Sequence, residues 1–432
     1  MAVRGSRHGR GGQPHPLHVA LYDEAAQFRA RIEVALELAL AAPEPNMREP
    51  FGSVLERAGL SGQQQVIYRD LLRELGHGLE RLTADSGKGE EAEFSVTTSD
   101  PELEEVLMRS VLQAARFVKR PDVAESAGRA ALLLISASFE TLVARVSALL
   151  IMTKPEVVSL GSKKLELAVF EQLSSPEAAK TYVASQVVEG LMHGGIDDWA
   201  KWFLQFGVNW RDIPESWWAF REVDARRNLV AHTDGRVNSI YTGLAKSNSA
   251  PSVPADGERL LIDRPYLNRA RDELVSFGLL MCASSALTLV PGELDATYSW
   301  GSRQARELLE EGATGAARRV SRKLLDVARG RLDRPQQVDL QVTEWLARKS
   351  EEGLDAIRGE VENFDVRGLD LALSHYRDLI LENDDETILA VNTLIARGDL
   401  TRTGVRLAIE YRELLERVGV ERIGVNTTSG FE

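Results

Sequence analysis

The sequence predicts an all-α protein, because apolar residues recur at helical spacing along almost the whole 432-residue chain. Hydrophobic residues make up 44% of the chain and charged residues 27%, which is the composition of an ordinary folded protein. Only residues 258–262 are predicted as a short strand. The length allows about two to four domains, each large enough to bury a core of its own.

The N-terminal part of the chain is predicted to be helical behind a flexible tail. Residues 1–16 carry three arginines but no apolar run, so they predict a flexible basic tail rather than a signal peptide. Residues 17–100 are predicted as an N-terminal helical segment, with helices at 18–42 and 61–82 and a linker at 83–100. Pro101 suits the first turn of a further helix, since acidic residues follow it directly.

Residues 101–295 are predicted as a central helical domain around a long helix, apolar on nearly all sides, that follows Pro121. Cys282, the single cysteine, lies in an uncharged run slightly too short to span a membrane and is expected to be a small core residue. The chain is therefore predicted to be cytoplasmic, with no membrane partner. The remaining predicted elements are helices at 162–173, 176–193, 197–206, 213–232 and 266–290 and an exposed loop at 243–257.

Residues 302–432 are predicted as a C-terminal helical domain. Gly292 and Gly301 are expected to mark the exit from the central domain. The predicted helices lie at 302–312, 314–330, 335–350, 367–382, 385–397 and 401–418.

The charge balance and the absence of common motifs exclude several classes of protein. With 52 basic and 65 acidic residues, the net charge is −13, which argues against a protein that coats nucleic acid by charge alone. No phosphate-binding P-loop, dinucleotide-binding glycine motif, serine elbow or zinc-ligand spacing occurs. A single cysteine also excludes an internal disulfide. No cofactor and no metal site are predicted.

The residues that carry chemistry lie in segment 222–241, which reads EVDARRNLVAHTDGRVNSIY. On a helix Asn228 and His232 share a face, and Arg227, about 100° away from Asn228, can reach the same rim. Gly235 is expected to end this helix, which places His232 near a helix C-terminus that stabilises positive charge. An imidazole suits general acid–base chemistry and a guanidinium suits phosphate oxygens. Two further arginines make the vicinity basic: Arg226 and Arg236.

The string Arg227-Asn228-x-x-x-His232, followed by a turn, resembles the motif of HEPN domains, which are helical nucleic-acid-processing modules of prokaryotic toxin and phage-defence systems. The long helix that contains Glu140, the tryptophan-rich stretch and the helix after GERLLIDRPYL fit the rest of such a domain. The resemblance covers about residues 121–295. It implies a HEPN-like bundle and a metal-independent endoribonuclease that leaves 2′,3′-cyclic phosphate ends. It also implies a homodimer or higher homo-oligomer that places two motifs in one cleft.

The resemblance also implies a role for each motif residue. His232 would be the acid–base group, Arg227 would hold the phosphate, and Asn228 would position His232 or the scissile group. Glu140 is expected to be a buried carboxylate paired with an arginine, with a direct catalytic role as the alternative. Asp234 stands where members paired with a nucleotidyltransferase carry tyrosine, which argues against a tyrosine-modification switch.

Three questions remain open from the sequence. The five tryptophans between residues 199 and 218 fit core or dimer packing, or base stacking. The basic run 316–334 fits a solvated helix face, or a site for RNA or a regulatory protein partner, with these residues at its centre: Arg318, Arg319, Arg322 and Lys323. The alternative to a nuclease is a catalytically inactive HEPN-fold scaffold or neutralising interaction protein. A DNA-binding regulator is weaker, because no basic recognition helix stands out.

Overall fold

The computed structural model describes residues 15–41, 61–62, 64–68, 104–106, 108–109, 123–158, 173, 175–327 and 330–424. Over these residues the regular structure is helical apart from one isolated β-bridge, so the predicted all-α fold is confirmed. The predictions for the tail at 1–14, most of the helix at 61–82, the linker at 83–100, the helix start at Pro101 and the helix over 162–172 lie outside the described residues.

The helices of the first two thirds of the chain follow the predicted order. They are α1 (Pro16–Leu40), α2 (Val123–Thr153), α3 (Pro176–Met192), α4 (Ile196–Gln205), α5 (Trp217–Thr233), α6 (Ser239–Ser247) and α7 (Arg264–Leu289). Short 3-10 turns occupy Trp210–Asp212 and Pro291–Glu293.

The remaining helices are shorter on average. They are α8 (Leu294–Glu310), α9 (Thr314–Val327), α10 (Arg334–Glu352), α11 (Arg358–Glu362), α12 (Leu371–Ile380), α13 (Asp384–Arg397), α14 (Arg402–Leu407) and α15 (Arg412–Val418), with 3-10 turns at Leu354–Ala356, Ile409–Tyr411 and Val420–Arg422.

Several predicted boundaries are wrong. The predicted strand at 258–262 is reduced to a bridge between Arg259 and Arg236, since no third segment among the described residues pairs with it. The predicted loop at 243–257 begins inside α6, which Asn238 caps by accepting a hydrogen bond from the Tyr241 amide.

Three further predicted boundaries also differ from the observed ones. The predicted helix over 213–232 begins only at α5, after a 3-10 turn. The predicted helix over 401–418 is divided into α14 and α15. Gly301 lies inside α8 rather than between elements, and its glycine makes room for Leu324 of α9, which occupies the position that a β-carbon would take.

The chain divides into two compact units. One comprises Met1–Glu37 and Arg129–Glu432, and the other comprises Leu38–Gly128. The described part of the second unit consists of the end of α1, short helical stretches near 62–68 and 104–109, and the start of α2. The first unit holds all the remaining helices.

The core of the first unit is built where α1, α2 and α7 approach one another. At Gly278 a β-carbon would collide with Phe28 of α1 and Leu142 of α2, so only glycine permits this approach. Next to it lies an aromatic cluster in which the rings of Phe220 and Phe277 stack with centroids 3.9 Å apart. The other rings of this cluster are Phe139, Trp199, Phe203 and Trp210.

The N-terminal helix α1 is held along α8 by polar contacts. The His18 ring lies 3.0 Å from the Thr297 hydroxyl, and burial lowers the pKa of His18. Arg29 donates to Glu307 at 2.8 Å and to Glu311 at 2.6 Å. These contacts join residues 278 to 282 positions apart in the chain.

The C-terminal helices enclose two smaller apolar clusters. One lies between α10, α11 and α12 around the buried Trp345. The other joins α12 through α15 around Tyr411 and Leu414. His375 of α12 is buried beside the second cluster, where its Nε2 lies 2.8 Å from the Tyr411 hydroxyl.

Two described helices, α2 and α7, are long and apolar enough to cross a membrane by length and composition alone. More than half of the most apolar window of each, 56% and 67%, is buried inside the protein. Core helices of globular domains have the same property, so this is weak evidence for a membrane span.

Candidate functional site

Helix α5 carries the motif residues and has well-defined ends. At its start the Ser216 hydroxyl accepts a hydrogen bond from the Ala219 amide at 3.2 Å. Its apolar side, which includes Trp218 and Leu229, packs into a cluster with residues from α6. This packing fixes the rotation of the helix and leaves the motif side at the surface.

The C-terminus of α5 is closed by two left-handed residues. Asp234 has φ 55° and Gly235 has φ 75°, and the amides of both donate to the Leu229 carbonyl. The Gly235 carbonyl then accepts from the Leu260 amide at 3.0 Å. The helix end predicted at Gly235 is thus only one residue later than the observed cap, Asp234. The hydrogen bonds of these two residues fix the last turn of α5.

Asp234 also ties this end of α5 to the first turns of α2. Arg129 donates from Nη1 to the Asp234 carboxylate and from Nη2 to its carbonyl oxygen, the latter at 3.0 Å. Arg259 approaches the same carboxylate at 3.7 Å. The hydrogen bond from Arg129 lowers the pKa of Asp234. Asp234 is therefore an anchor for the end of the helix.

Arg227 lies between carboxylates from two helices. Its Nη2 donates to Glu140 of α2 at 2.5 Å and to Asp224 of α5 at 3.0 Å. The Arg227 side chain is 25% exposed and that of Glu140 is 37% exposed. The expected pairing of Glu140 with an arginine is confirmed, and the arginine is the motif residue itself. Glu140 is, however, only partly buried.

Asp224 is the second partner of Arg227, and it was not among the residues predicted from the sequence. Burial raises the pKa of Asp224, against the opposing attraction of Arg227 and Arg221. Asn228 directs its Nδ2 toward the same carboxylate at a long 3.5 Å. Asp224 is three residues before Arg227 and four before Asn228, so helical spacing alone was a signal that could have found it.

His232 differs from its neighbours because it is exposed in the last turn of α5 and has no hydrogen-bond partner among the described residues. His232 is five positions after Arg227 in the chain, which corresponds to about 140° around an ideal helix and about 7.5 Å along its axis. Within one chain the imidazole and the guanidinium therefore project from different sides of α5.

Arg226 and Arg236 lie near the motif but have structural partners. Arg226 donates to Glu222 at 2.6 Å, and its guanidinium lies over the Tyr266 ring at 3.9 Å. The hydroxyls of Tyr266 and Tyr241 both donate to Glu222 at 3.0 Å, and burial followed by the Glu222 charge raises the pKa of each phenol. Arg236 is exposed and donates to the Gly257 carbonyl at 3.2 Å. Of the two, only Arg236 faces solvent.

The basic residues of α9 lie at the other end of α5, beside the loop that precedes it. Arg319 pairs with Glu273 at 2.9 Å, and Arg322 approaches Glu215 at 3.8 Å. Arg318 lies between Glu215 and Glu351. Lys323 is partly buried and has no ion-pair partner among the described residues. The α9 cations are thus not joined to the motif residues by any contact in the described structure.

Most of the tryptophan-rich stretch is core. Trp199, Trp210 and Trp218 are at most 8% exposed, which confirms the packing interpretation for these three. Trp202 and Trp217 are only partly buried. Cys282 is fully buried, as predicted, and burial raises the pKa of its thiol. Within the described residues no group of three or more His, Cys, Asp or Glu is arranged to hold a metal ion.

Comparisons of the chain with models of known families, with curated proteins and with solved structures found no match.

Proposed function

We propose that this chain is a metal-independent RNA endonuclease, of a bacterial defence or toxin system, whose catalytic groups are His232 and Arg227. One observation carries the proposal: His232 is exposed at a helix end without a described partner, while Arg227 on the same helix is held by Glu140 from another helix. An exposed histidine without a described hydrogen-bond partner and an arginine held in place by carboxylates supply the two kinds of group that acid–base and phosphate chemistry require, and because they project from different sides of α5 they would meet only across two copies of the chain.

In the proposed reaction the 2′-hydroxyl of the RNA attacks the adjacent phosphorus. Its proton passes to a neutral imidazole, the bond from phosphorus to the 5′-oxygen breaks, and a protonated imidazole donates a proton to that oxygen. The products are a 2′,3′-cyclic phosphate and a 5′-hydroxyl. One imidazole cannot be base and acid in the same step, so the proposal places two copies of His232 in one cleft of a dimer.

The surface between α2 and α5 supports the dimer part of the proposal. Two ion pairs, Arg129 with Asp234 and Glu140 with Arg227, join the helices in an antiparallel arrangement. Between these pairs α2 exposes Leu133 and Leu134, which are 38% and 47% accessible. Exposed apolar side chains beside polar groups are typical of surfaces that bind another protein.

Arg227 keeps donors for a phosphate despite its two carboxylate partners. The guanidinium donates from Nη2 to both carboxylates, and its Nη1 and Nε have no hydrogen-bond partner among the described residues. Nε is buried and Nη1 is the donor that we assign to a phosphate oxygen. The two carboxylates fix the plane of the guanidinium, which restricts the directions from which a phosphate can bind.

The same carboxylates favour the second candidate function, an inactive HEPN-fold scaffold or neutralising partner. Glu140 and Asp224 together outweigh the single charge of Arg227, and an excess of negative charge opposes a polyanionic substrate. On that alternative Arg227 is a structural residue and His232 has no role.

The test is RNA cleavage in EDTA, with tRNA and single-stranded RNA as substrates. We expect the wild type to cleave and to leave cyclic phosphate ends, and we expect His232→Ala and Arg227→Ala to be inactive. His193→Ala is the matched control, because His193 is also an exposed histidine at a helix C-terminus. Equal cleavage by all four proteins, or cleavage by none of them under any activating condition, would reject the nuclease and favour the scaffold.

A further inference from the structure

A cavity of about 390 Å³ opens at the N-terminal end of α5, between the loop before that helix, α7 and α9. Helix α5 has 17 residues, so about 25 Å of helix separates this end from the end that carries His232. The volume falls in the range of about 300–1,000 Å³ that is usual for small-molecule sites. We call it the α9 cavity, and the residues used below are Ile213, Glu215, Phe277, Leu280, Arg322 and Lys323.

One wall of the α9 cavity offers two cations. Arg322 is 57% exposed, and its closest carboxylate, that of Glu215, is 3.8 Å away. Lys323 has no ion-pair partner among the described residues. Arg319, by contrast, is held by Glu273 at 2.9 Å. Two neighbouring cations that are not engaged in close ion pairs form a site for one phosphate or carboxylate group.

The floor of the α9 cavity is apolar. Phe277, Leu280 and Ile213 are each at most 4% exposed, and their edges face the cavity. Phe277 is held rigidly, because its ring stacks on Phe220. These side chains are already almost fully buried, so a flat apolar group that covers them would gain mainly by removing its own face from water.

The acidic side chains of the lining select against a long polyanion. Glu215 and Asp326 line the same cavity as the cations, and Glu215 approaches three arginines of α9. A single anionic group can bind at Arg322 and Lys323, whereas further phosphates would meet these carboxylates. The lining therefore favours a small ligand with one anionic group over an RNA strand.

We propose that the α9 cavity binds a nucleoside monophosphate, with its phosphate on Arg322 and Lys323 and its base over the floor of Phe277, Leu280 and Ile213. The carboxylate of Glu215, which lines the same cavity, provides acceptors for amino groups of the base. The proposal uses none of the motif residues, so it stands or fails independently of the nuclease.

The test is isothermal titration calorimetry of the full chain with AMP, GMP, CMP and UMP, and with adenosine and inorganic phosphate as fragments. We expect at least one nucleotide to bind, with phosphate alone at least about tenfold weaker because the floor contributes. A double variant with Arg322→Gln and Lys323→Gln should weaken nucleotide binding at least about tenfold.

The matched control is Lys246→Gln, an exposed lysine in the last turn of α6, and thermal unfolding of each variant checks that it is folded. Three outcomes would overturn the proposal: no binding of any of the four nucleotides, nucleotide binding unchanged in the double variant, or phosphate binding as tight as nucleotide binding. Tighter binding of an oligonucleotide than of any nucleotide, lost in the same double variant, would overturn it in favour of an RNA contact.

Discussion

The end of α5 and the junction of α12 with the Ile409–Tyr411 turn each contain a histidine, and the two environments are opposite. His232 is exposed and has no partner among the described residues. His375 is 2% exposed, with Nδ1 3.0 Å from the Leu371 carbonyl and Nε2 2.8 Å from the Tyr411 hydroxyl. Burial lowers the pKa of His375 to about 4.

The difference in burial and hydrogen bonding distinguishes a side chain that stabilises the fold, His375, from one that is free to contact a ligand, His232. Both ring nitrogens of His375 are engaged, so its replacement must cost stability. The ring of His232 is open to solvent, so it is accessible to a ligand and its replacement should cost little stability. The following predictions test that division, from the largest expected effect to the smallest.

His232→Ala should lower the rate of RNA cleavage by about 10²- to 10⁴-fold, because a general acid–base group would be lost. Its melting temperature should stay within about 2 °C of the wild type, since exposed groups without partners contribute little. Single-turnover cleavage and thermal unfolding measure the two quantities. A large loss of stability with unchanged cleavage would reverse the roles of the two histidines.

His375→Ala should lower the free energy of unfolding by about 2–4 kcal/mol, because it removes two buried hydrogen bonds and leaves a cavity. Urea denaturation followed by circular dichroism measures this loss, with His193→Ala as the control. Cleavage per folded molecule should be retained. A variant as stable as the control would show that the buried ring contributes nothing.

Stability should fall as the pH drops from about 6.5 toward about 4, by up to about 3 kcal/mol from His375 alone. The pKa of this histidine is lower in the folded protein, so the unfolded chain binds a proton first and protonation favours unfolding. Urea denaturation at several pH values compares the wild type with His375→Gln. The same pH dependence in both proteins would contradict the assignment.

Glu140→Gln should lower cleavage about tenfold and stability by less than about 1 kcal/mol, because the ion pair with Arg227 is partly exposed. The variant keeps Asp224 as a partner, so Arg227 stays near its place but loses its contact to α2. Thr141→Ala, an exposed neighbour on α2, is the control. Unchanged cleavage in Glu140→Gln would remove Glu140 from the proposed site.

Arg236→Gln should weaken RNA binding only about two- to threefold. The slope of log K against log salt concentration should fall by about one, because one contact between Arg236 and an RNA phosphate at the edge of the site would be lost. Fluorescence anisotropy at several salt concentrations measures the affinity and its salt dependence, in a His232→Ala background that does not cleave the RNA. Lys246→Gln is the control on an exposed cation outside the motif. An unchanged salt dependence would place Arg236 outside the RNA contact.

The helical periodicity was sufficient to predict most helices and the position of the motif at the end of one of them. Gly235 predicted that end because a left-handed residue is needed there, although Asp234 takes up the first left-handed position. The pairing of Glu140 with an arginine was also predictable, since a carboxylate in an apolar helix needs a partner.

Features that depend on contacts between distant segments were not predictable. Whether Arg318 and Arg319 are free or paired depends on Glu215 and Glu273, which other segments bring to α9. Helix α6 was missed because its sequence is rich in small polar residues, and its apolar side is recognisable only once Tyr241 and Ala245 meet α5. The position of Gly301 inside α8 likewise depends on Leu324.

The docking of α1 along α8 has a consequence for the synthesis of the protein. Arg29 and its partner Glu307 are 278 positions apart, so a ribosome that adds about 5–20 residues per second completes the partner roughly 15–55 s after the arginine. During that interval the apolar side of α1, with Phe28 and Ile32, has no α7 or α8 to cover it. The apolar side of α1 on the nascent chain is therefore available to chaperones early, and it is covered only after α7 and α8 have emerged.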